Sequence, residues 1–301
     1  MSALLRVLNV YLRLVEKRRN AKFTTLDVPR ARLERTAKRL FKMPPGTVET
    51  ENSVNHGALQ QILLSPPGAS DTRVVLFLHG GGYVRGSADT HKHLAAALAQ
   101  RIGARAVVPD YRLAPENPFP AAVDDALAAY RALIDTDQRP AEIILAGDSS
   151  GGGLALALLH VICTENLPKP AYVVAFSPWV DMTMRAKSIT RNAERDALVP
   201  ASRMAEVIEM VLAGADPKDP RASPLFGAFT GAPPVLIQAS RAEVLEDDAQ
   251  HMADALTAQG VPVELRYWQE TPHVWQIFQG IVRESDEALN HAAAFVKRHL
   301  A

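Results

Sequence analysis

Three segments of the chain hold residue types that together can attack a carbonyl carbon. The first is Gly147-Asp148-Ser149-Ser150-Gly151, which follows Ile143-Ile144-Leu145-Ala146 and leads through Gly152-Gly153 into Leu154-Ala155-Leu156-Ala157-Leu158-Leu159. A serine with glycines two before and two after, set between a strand-like and a helix-like run, fits a turn tight enough to strain its backbone and expose its hydroxyl. Glycine suits both flanks because a Cβ would hold strand and helix apart. Centring the turn on Ser150 would put Asp148 where glycine is needed, so Ser149 is the expected nucleophile. A glycine-rich turn can also bind phosphate, but no lysine closes this one and it lacks G-x-G-x-x-G.

A hydroxyl nucleophile needs an imidazole to take its proton and a carboxylate to orient that imidazole. Three of the nine histidines lie beyond residue 260. His291 and His299 belong to the helix-like stretch 284–300, whereas His273 follows the run 263–268 through Gln269-Glu270-Thr271-Pro272. That puts His273 in a loop at a strand end, and it is the expected base. Carboxylates for the third role cluster in Glu243-Val244-Leu245-Glu246-Asp247-Asp248. Glu243 and Asp247 are the two candidates.

The third segment is His79-Gly80-Gly81-Gly82-Tyr83, directly after the apolar run Val74-Val75-Leu76-Phe77-Leu78. Consecutive glycines cost backbone entropy and suit a loop that must approach something closely. Two free N–H groups of such a loop, with the N–H of Ser150, would make a three-donor oxyanion hole. His79, at the strand end, is read as fixing the loop rather than as a base.

Positioning these groups requires a scaffold, and the hydrophobic pattern supplies one. Apolar runs at 74–78, 106–108, 143–146, 173–176, 235–239 and 263–268 read as strands, and helix-like stretches at 94–102, 121–134, 153–163 and 247–259 lie between most of them. Near-continuous apolar strands alternating with helices predict an α/β fold with a mostly parallel sheet covered on both faces. Residues 1–45 and 181–222 break the rhythm and are read as two parts of one cap over the end of the sheet where open α/β sheets bind ligands. The catalytic core is then 46–180 with 223–301. In the first segment, Leu4, Leu8, Tyr11, Leu12 and Val15 form a stripe expected to pack on the protein itself.

Composition narrows the function classes. The 301 residues are 48% hydrophobic and 22% charged, which excludes a disordered or collagen-like chain. With 33 Lys and Arg against 33 Asp and Glu, no global basic field would draw nucleic acid or anionic lipid. A single cysteine, Cys163, excludes an internal disulfide framework and suits a reducing compartment. His91-Lys92-His93 has no third ligand in view and is read as helix surface, so no metal site is expected. The N-terminal apolar stretch is too short to span a bilayer. A cytoplasmic, soluble protein without stable membrane insertion is expected.

The loop His79-Gly80-Gly81-Gly82, the turn Gly147-Asp148-Ser149-Ser150-Gly151-Gly152 and the segment Asp110-Tyr111-Arg112-Leu113-Ala114-Pro115-Glu116 between them resemble the hormone-sensitive-lipase-like esterases of the α/β-hydrolase superfamily. The resemblance implies an α/β-hydrolase fold with a two-part helical cap. It implies that Gly81 and Gly82 donate the loop's oxyanion N–H groups. Glu243 falls at the first position of the family's Asp-x-Leu-x-Asp pattern, which implies that it is the triad acid. The sequence departs from the family at Ser150, where alanine is usual; its N–H survives the change. Val274-Trp275 after the base is similar to the family's ending.

The chemistry expected is carboxylic-ester hydrolysis through an acyl-enzyme, without metal or organic cofactor. By resemblance the esters carry short- to medium-chain acyl groups, and a lactone hydrolase with the same triad is the alternative. Amide or formamide hydrolysis and a ligand-binding receptor on the same fold are more distant readings. Tyr83, Trp179, Met204, Trp275 and Phe278 are the substrate-binding candidates. The expected partner is a small-molecule ester, and a homodimer is suggested by resemblance alone.

Overall fold

A computed structural model describes residues 1–23, 25–136 and 139–298; His299 lies outside them. The chain opens with α1 (Ala3–Tyr11), a π-helical turn (Leu12–Glu16), α2 (Lys17–Asn20) and α3 (Asp27–Leu40). Then come β1 (Val48–Val54), β2 (Leu59–Ser65), β3 (Val74–Leu78), α4 (Ala88–Ile102), β4 (Arg105–Pro109), α5 (Ala121–Asp135), β5 (Ile143–Asp148), α6 (Ser150–Thr164) and β6 (Tyr172–Phe176). The short α7 (Ser188–Arg191) and α8 (Met204–Leu212) precede β7 (Val235–Ser240), α9 (Glu246–Ala258), β8 (Val263–Trp268) and α10 (Arg283–Arg298).

The eight strands form one sheet in the order β1-β2-β4-β3-β5-β6-β7-β8. Strands β4, β3, β5, β6, β7 and β8 run parallel, while β1 and β2 pair antiparallel at one edge. Every residue of β3, β5, β6 and β7 is buried because helices cover both faces. The alternation along β3 divides the core: Val74, Leu76 and Leu78 join α6 on one side, and Val75 and Phe77 join α4 and α10 on the other. Helix α4 is held in place by a capping box of Ser87 and Thr90 and ends at Gly103 in the left-handed conformation.

Strands β1 and β2 are not among the strands read from the sequence. Six of the seven β1 residues are exposed, so an edge strand such as Val-Glu-Thr-Glu-Asn-Ser-Val carries no apolar signature. The N-terminal stripe is also displaced from its expected position. Leu5 and Leu12 are buried, whereas Leu4 and Tyr11 are 49% and 48% exposed. Leu5 and Leu12 are two turns apart and share a face; Leu4 and Tyr11 stand one residue, about 100°, off it. No helix among the described residues is long and apolar enough to cross a membrane.

Candidate active site

The turn after β5 is built on Ser149, whose backbone sits at φ 55° and ψ −123°. A non-glycine residue there costs about 1–3 kcal/mol and persists only where its surroundings enforce it. Here they do. Ser149 N–H donates to Phe176 O at 2.8 Å. A Cβ on Gly147 would run into the Gly151 carbonyl, and one on Gly151 would run into the carbonyls of Leu78 and His79. The two glycines let α6 start directly against the end of β3.

Ser149 Oγ lies 2.8 Å from His273 Nε2, and His273 Nδ1 lies 2.6 Å from Glu243 Oε2. Glu243 is fully buried, and its other oxygen accepts the Ser240 N–H at 2.6 Å and the Ser177 hydroxyl at 3.0 Å. Burial alone would lower the His273 pKa, but the hydrogen bond and charge of Glu243, with Asp196 and Asp148 further off, raise it above its ordinary value of 6.5. The carboxylate therefore favours an imidazolium. Asp247 is engaged elsewhere: it accepts from Arg191 Nη2 at 2.5 Å and from the Ser188 N–H at 2.8 Å.

Asp148 ties the glycine loop to the turn by accepting the Gly80 N–H at 3.1 Å. His79 is fully buried, stacked on Tyr111 at 4.1 Å, and its Nδ1 faces Gly80 O at 3.0 Å. Burial, then the neighbouring His91, push its pKa down to about 3, so it stays neutral. Gly81 and Gly82 have φ of 129° and 69°, which glycine adopts freely. The Gly81 and Ser150 N–H groups have no acceptor among the described residues. The Gly82 N–H, expected to be free, donates to the Ser150 hydroxyl at 2.8 Å, and the Tyr83 N–H reaches the same oxygen at 3.3 Å. The serine that replaces the usual alanine thus does more than alter local packing.

A cavity of about 300 Å³ opens over Ser149 and His273. Residues of α1 to α3 and of the segment 198–207 wall it, together with Trp179, Met204 and Phe278. Two other candidates do not reach it. Trp275 is fully buried behind the base, its indole N–H donating to Glu284 O at 3.1 Å and its ring against Trp268. Val274, at φ 52°, turns the chain so that Phe278 rather than Trp275 faces the opening. Tyr83 lies under the loop beside a separate void of about 20 Å³. His91 and His93, expected on a helix surface, are buried at 4% and 9% exposure. His91 bonds Thr90 Oγ1 at 2.7 Å and faces Asp148 at 3.5 Å. Among the described residues, no group of three or more His, Cys, Asp or Glu is arranged to hold a metal ion.

Two supporting residues lie in 181–222, where the sequence pointed to a cap and not to a role beside the triad. Asp196 accepts the Val244 N–H at 2.9 Å, and Asn192 Nδ2 donates to Glu243 O at 2.9 Å. These contacts brace the acid loop from 48 and 51 residues away, and no local motif announces them.

A family model described as alpha/beta hydrolase fold matches residues 75–277. The chain is 41% identical over 255 residues to an acetyl-hydrolase of Streptomyces hygroscopicus, covering 85% of this chain and 83% of the relative. It is 33% identical to the carboxylesterase NlhH of Mycobacterium tuberculosis, over 91% of this chain and 90% of that one. Among solved structures, an esterase from the bacterial hormone-sensitive lipase family superposes with a TM-score of 0.94 at 36% identity, covering 100% of this chain and 99% of its own. The chain therefore belongs to the α/β-hydrolase fold family and, within it, to the hormone-sensitive-lipase-like esterases.

Proposed function

We propose that this protein hydrolyses carboxylic esters through an acyl-enzyme on Ser149. The observation that carries the reading is the unbroken hydrogen-bonded line from Ser149 Oγ through His273 to Glu243. His273 Nε2 takes the hydroxyl proton as Oγ bonds to the ester carbon, and the carbonyl electrons move onto oxygen. The N–H groups of Gly81 and Ser150 meet that oxyanion, and the Gly82 N–H joins them when the Ser150 hydroxyl releases it. Collapse breaks the bond to the alcohol, which leaves with the proton from His273. Water, deprotonated by the same imidazole, then attacks the acyl-enzyme; the bond from the acyl carbon to Ser149 Oγ breaks, Oγ recovers the proton from His273, and the acid leaves. Glu243 remains ionised throughout and holds the ring in one tautomer.

Segments 1–45 and 181–222 act together as the cap of the cavity. At about 300 Å³ the cavity is at the small end of ligand sites, which favours short- to medium-chain acyl groups. Among the described residues no strand pairs with the outer edge of β8, and it is the edge through which two copies would pair as a homodimer.

The test is the initial rate on p-nitrophenyl esters from acetate to palmitate, for the wild type and Ser149→Ala. The reading requires an optimum among the shorter chains that the variant loses. Equal rates in both proteins would remove Ser149 from the mechanism.

A further inference from the structure

Most of the cavity wall is apolar, from Leu8 and Leu12 to Phe41 and Phe278, yet three arginines border it as well: Arg203, which pairs with Glu206 at 2.7 Å, and Arg85 and Arg32. Arg85 follows the glycine loop, and its stem packs so closely on Gly81 that an added Cβ there would meet Arg85 Cγ at 3.2 Å. Arg85 Nη1 donates to Asn20 Oδ1 at 3.1 Å, and Arg32 Nη2 donates to the same oxygen at 3.1 Å. Asn20 is buried and neutral. Glu16 is the nearby carboxylate, but it pairs with Arg19 at 3.1 Å and Arg32 at 3.7 Å. Among the described residues Arg85 has no carboxylate within ion-pair distance.

This arrangement is under-compensated. Two partly exposed like charges share one neutral acceptor, and of the two only Arg32 also has a carboxylate, Glu16 at 3.7 Å, so Arg85 is the cation left without a counter-charge at ion-pair distance. Burial, then the charge of Arg32, pull the Arg85 pKa down against the opposing charge of Glu16. A bond made only to tie the cap to the loop would be served by an uncharged donor, or by a carboxylate in place of Asn20. The surroundings add to the imbalance. Residues 1–45 hold twelve Lys and Arg against three Asp and Glu in a chain of zero net charge. Of that excess only Arg32 lines the cavity itself; the rest gives the segment that walls it a net positive charge, which favours anions nearby.

We propose that Arg85 and Arg32 form an anion subsite within the cavity, and that the preferred substrates carry a carboxylate or phosphate on an otherwise apolar ester. The guanidinium forks offer the paired donors that such oxyanions accept. The proposal rests on the esterase reading for the word substrate, but its test does not need turnover.

Calorimetric titration of octanoate, octyl phosphate and octanamide into the wild type, Arg85→Met, Arg85→Lys and Arg32→Met reads the subsite directly. The wild type binds at least one of the two anions about tenfold more tightly than octanamide, the gain expected from one charge-assisted contact. Arg85→Met brings the anions to the level of octanamide, and Arg85→Lys keeps part of the gap. Which anion binds more tightly identifies the carboxylate or the phosphate as the natural group. Octanamide binding shows that each variant still forms the cavity. Equal affinity for amide and anions in the wild type overturns the proposal. So does an anion preference that survives in both Arg85→Met and Arg32→Met, since the anion would then sit on the oxyanion donors or on Arg203.

Discussion

The hydroxyl of Ser150 accepts the N–H of Gly82 at 2.8 Å, so the residue beside the nucleophile occupies one of the three donors expected to face the oxyanion. The transition state must recover that donor from a bond worth about 1 kcal/mol net. Ser150→Ala is therefore expected to raise kcat about fivefold and to lower stability by about 1 kcal/mol, because the Gly82 and Tyr83 N–H groups lose their shared acceptor. Steady-state rates and thermal melts check both. A tenfold fall in kcat would mean that the hydroxyl holds the loop in its working position.

Glu243 and Asp247 are four residues apart and differ completely in surroundings. Glu243→Gln leaves an amide facing His273 Nδ1 and permits the wrong tautomer, with an expected loss of roughly four orders of magnitude in kcat. Asp247→Asn weakens a half-exposed pair with Arg191 and costs under about 1 kcal/mol of stability, with kcat within a few-fold of wild type. The reverse pattern would transfer the orienting role to Asp247.

As the proposed base, His273 works only when neutral. Because Glu243 raises the His273 pKa above 6.5, kcat/KM is expected to climb with pH along an acid limb whose midpoint lies above 6.5. The same shift gives the fold a contribution that is fully present below the unfolded value and fades as pH rises through the raised folded value. An acid-limb midpoint below 6.5 in the free enzyme would contradict this balance between burial and the carboxylate.

Trp275 and Met204 separate packing from substrate contact. Trp275→Phe removes the indole bond to the Glu284 carbonyl and ring volume next to Trp268, at an expected cost of about 1–3 kcal/mol. Its order of preference among p-nitrophenyl esters stays that of the wild type. Met204→Ala widens the cavity wall and moves the preference toward longer chains. Denaturant melts and chain-length profiles of both variants would expose a reversed assignment.

These contrasts mark what a sequence discloses. Five of the six parallel strands were readable because burial on both faces makes their apolar runs nearly continuous, as in Val74–Leu78, whereas β8 at the edge, Val-Glu-Leu-Arg-Tyr-Trp, is only partly buried and alternates. The turn at Ser149 was readable because its requirement for Gly147 and Gly151 is local. The facing of Trp275 and Phe278 was not, since it depends on one left-handed residue, Val274. The braces from Ser177, Asn192 and Asp196 to the acid loop, and the meeting of Asn20 with Arg85, join distant segments by tertiary packing alone. The hydroxyl of Ser150 was visible as a substitution, but its partner was set by the approach of a loop 68 residues earlier.

The central claim is that Ser149 forms the covalent intermediate. A fluorophosphonate probe phosphonylates an activated serine, and intact-mass measurement followed by peptide mapping locates the adduct. One adduct per chain is predicted, on the peptide containing Ser149, abolished in Ser149→Ala and slowed in Glu243→Gln. Esterase turnover that persists in Ser149→Ala, with the adduct absent or on another serine, would contradict the account.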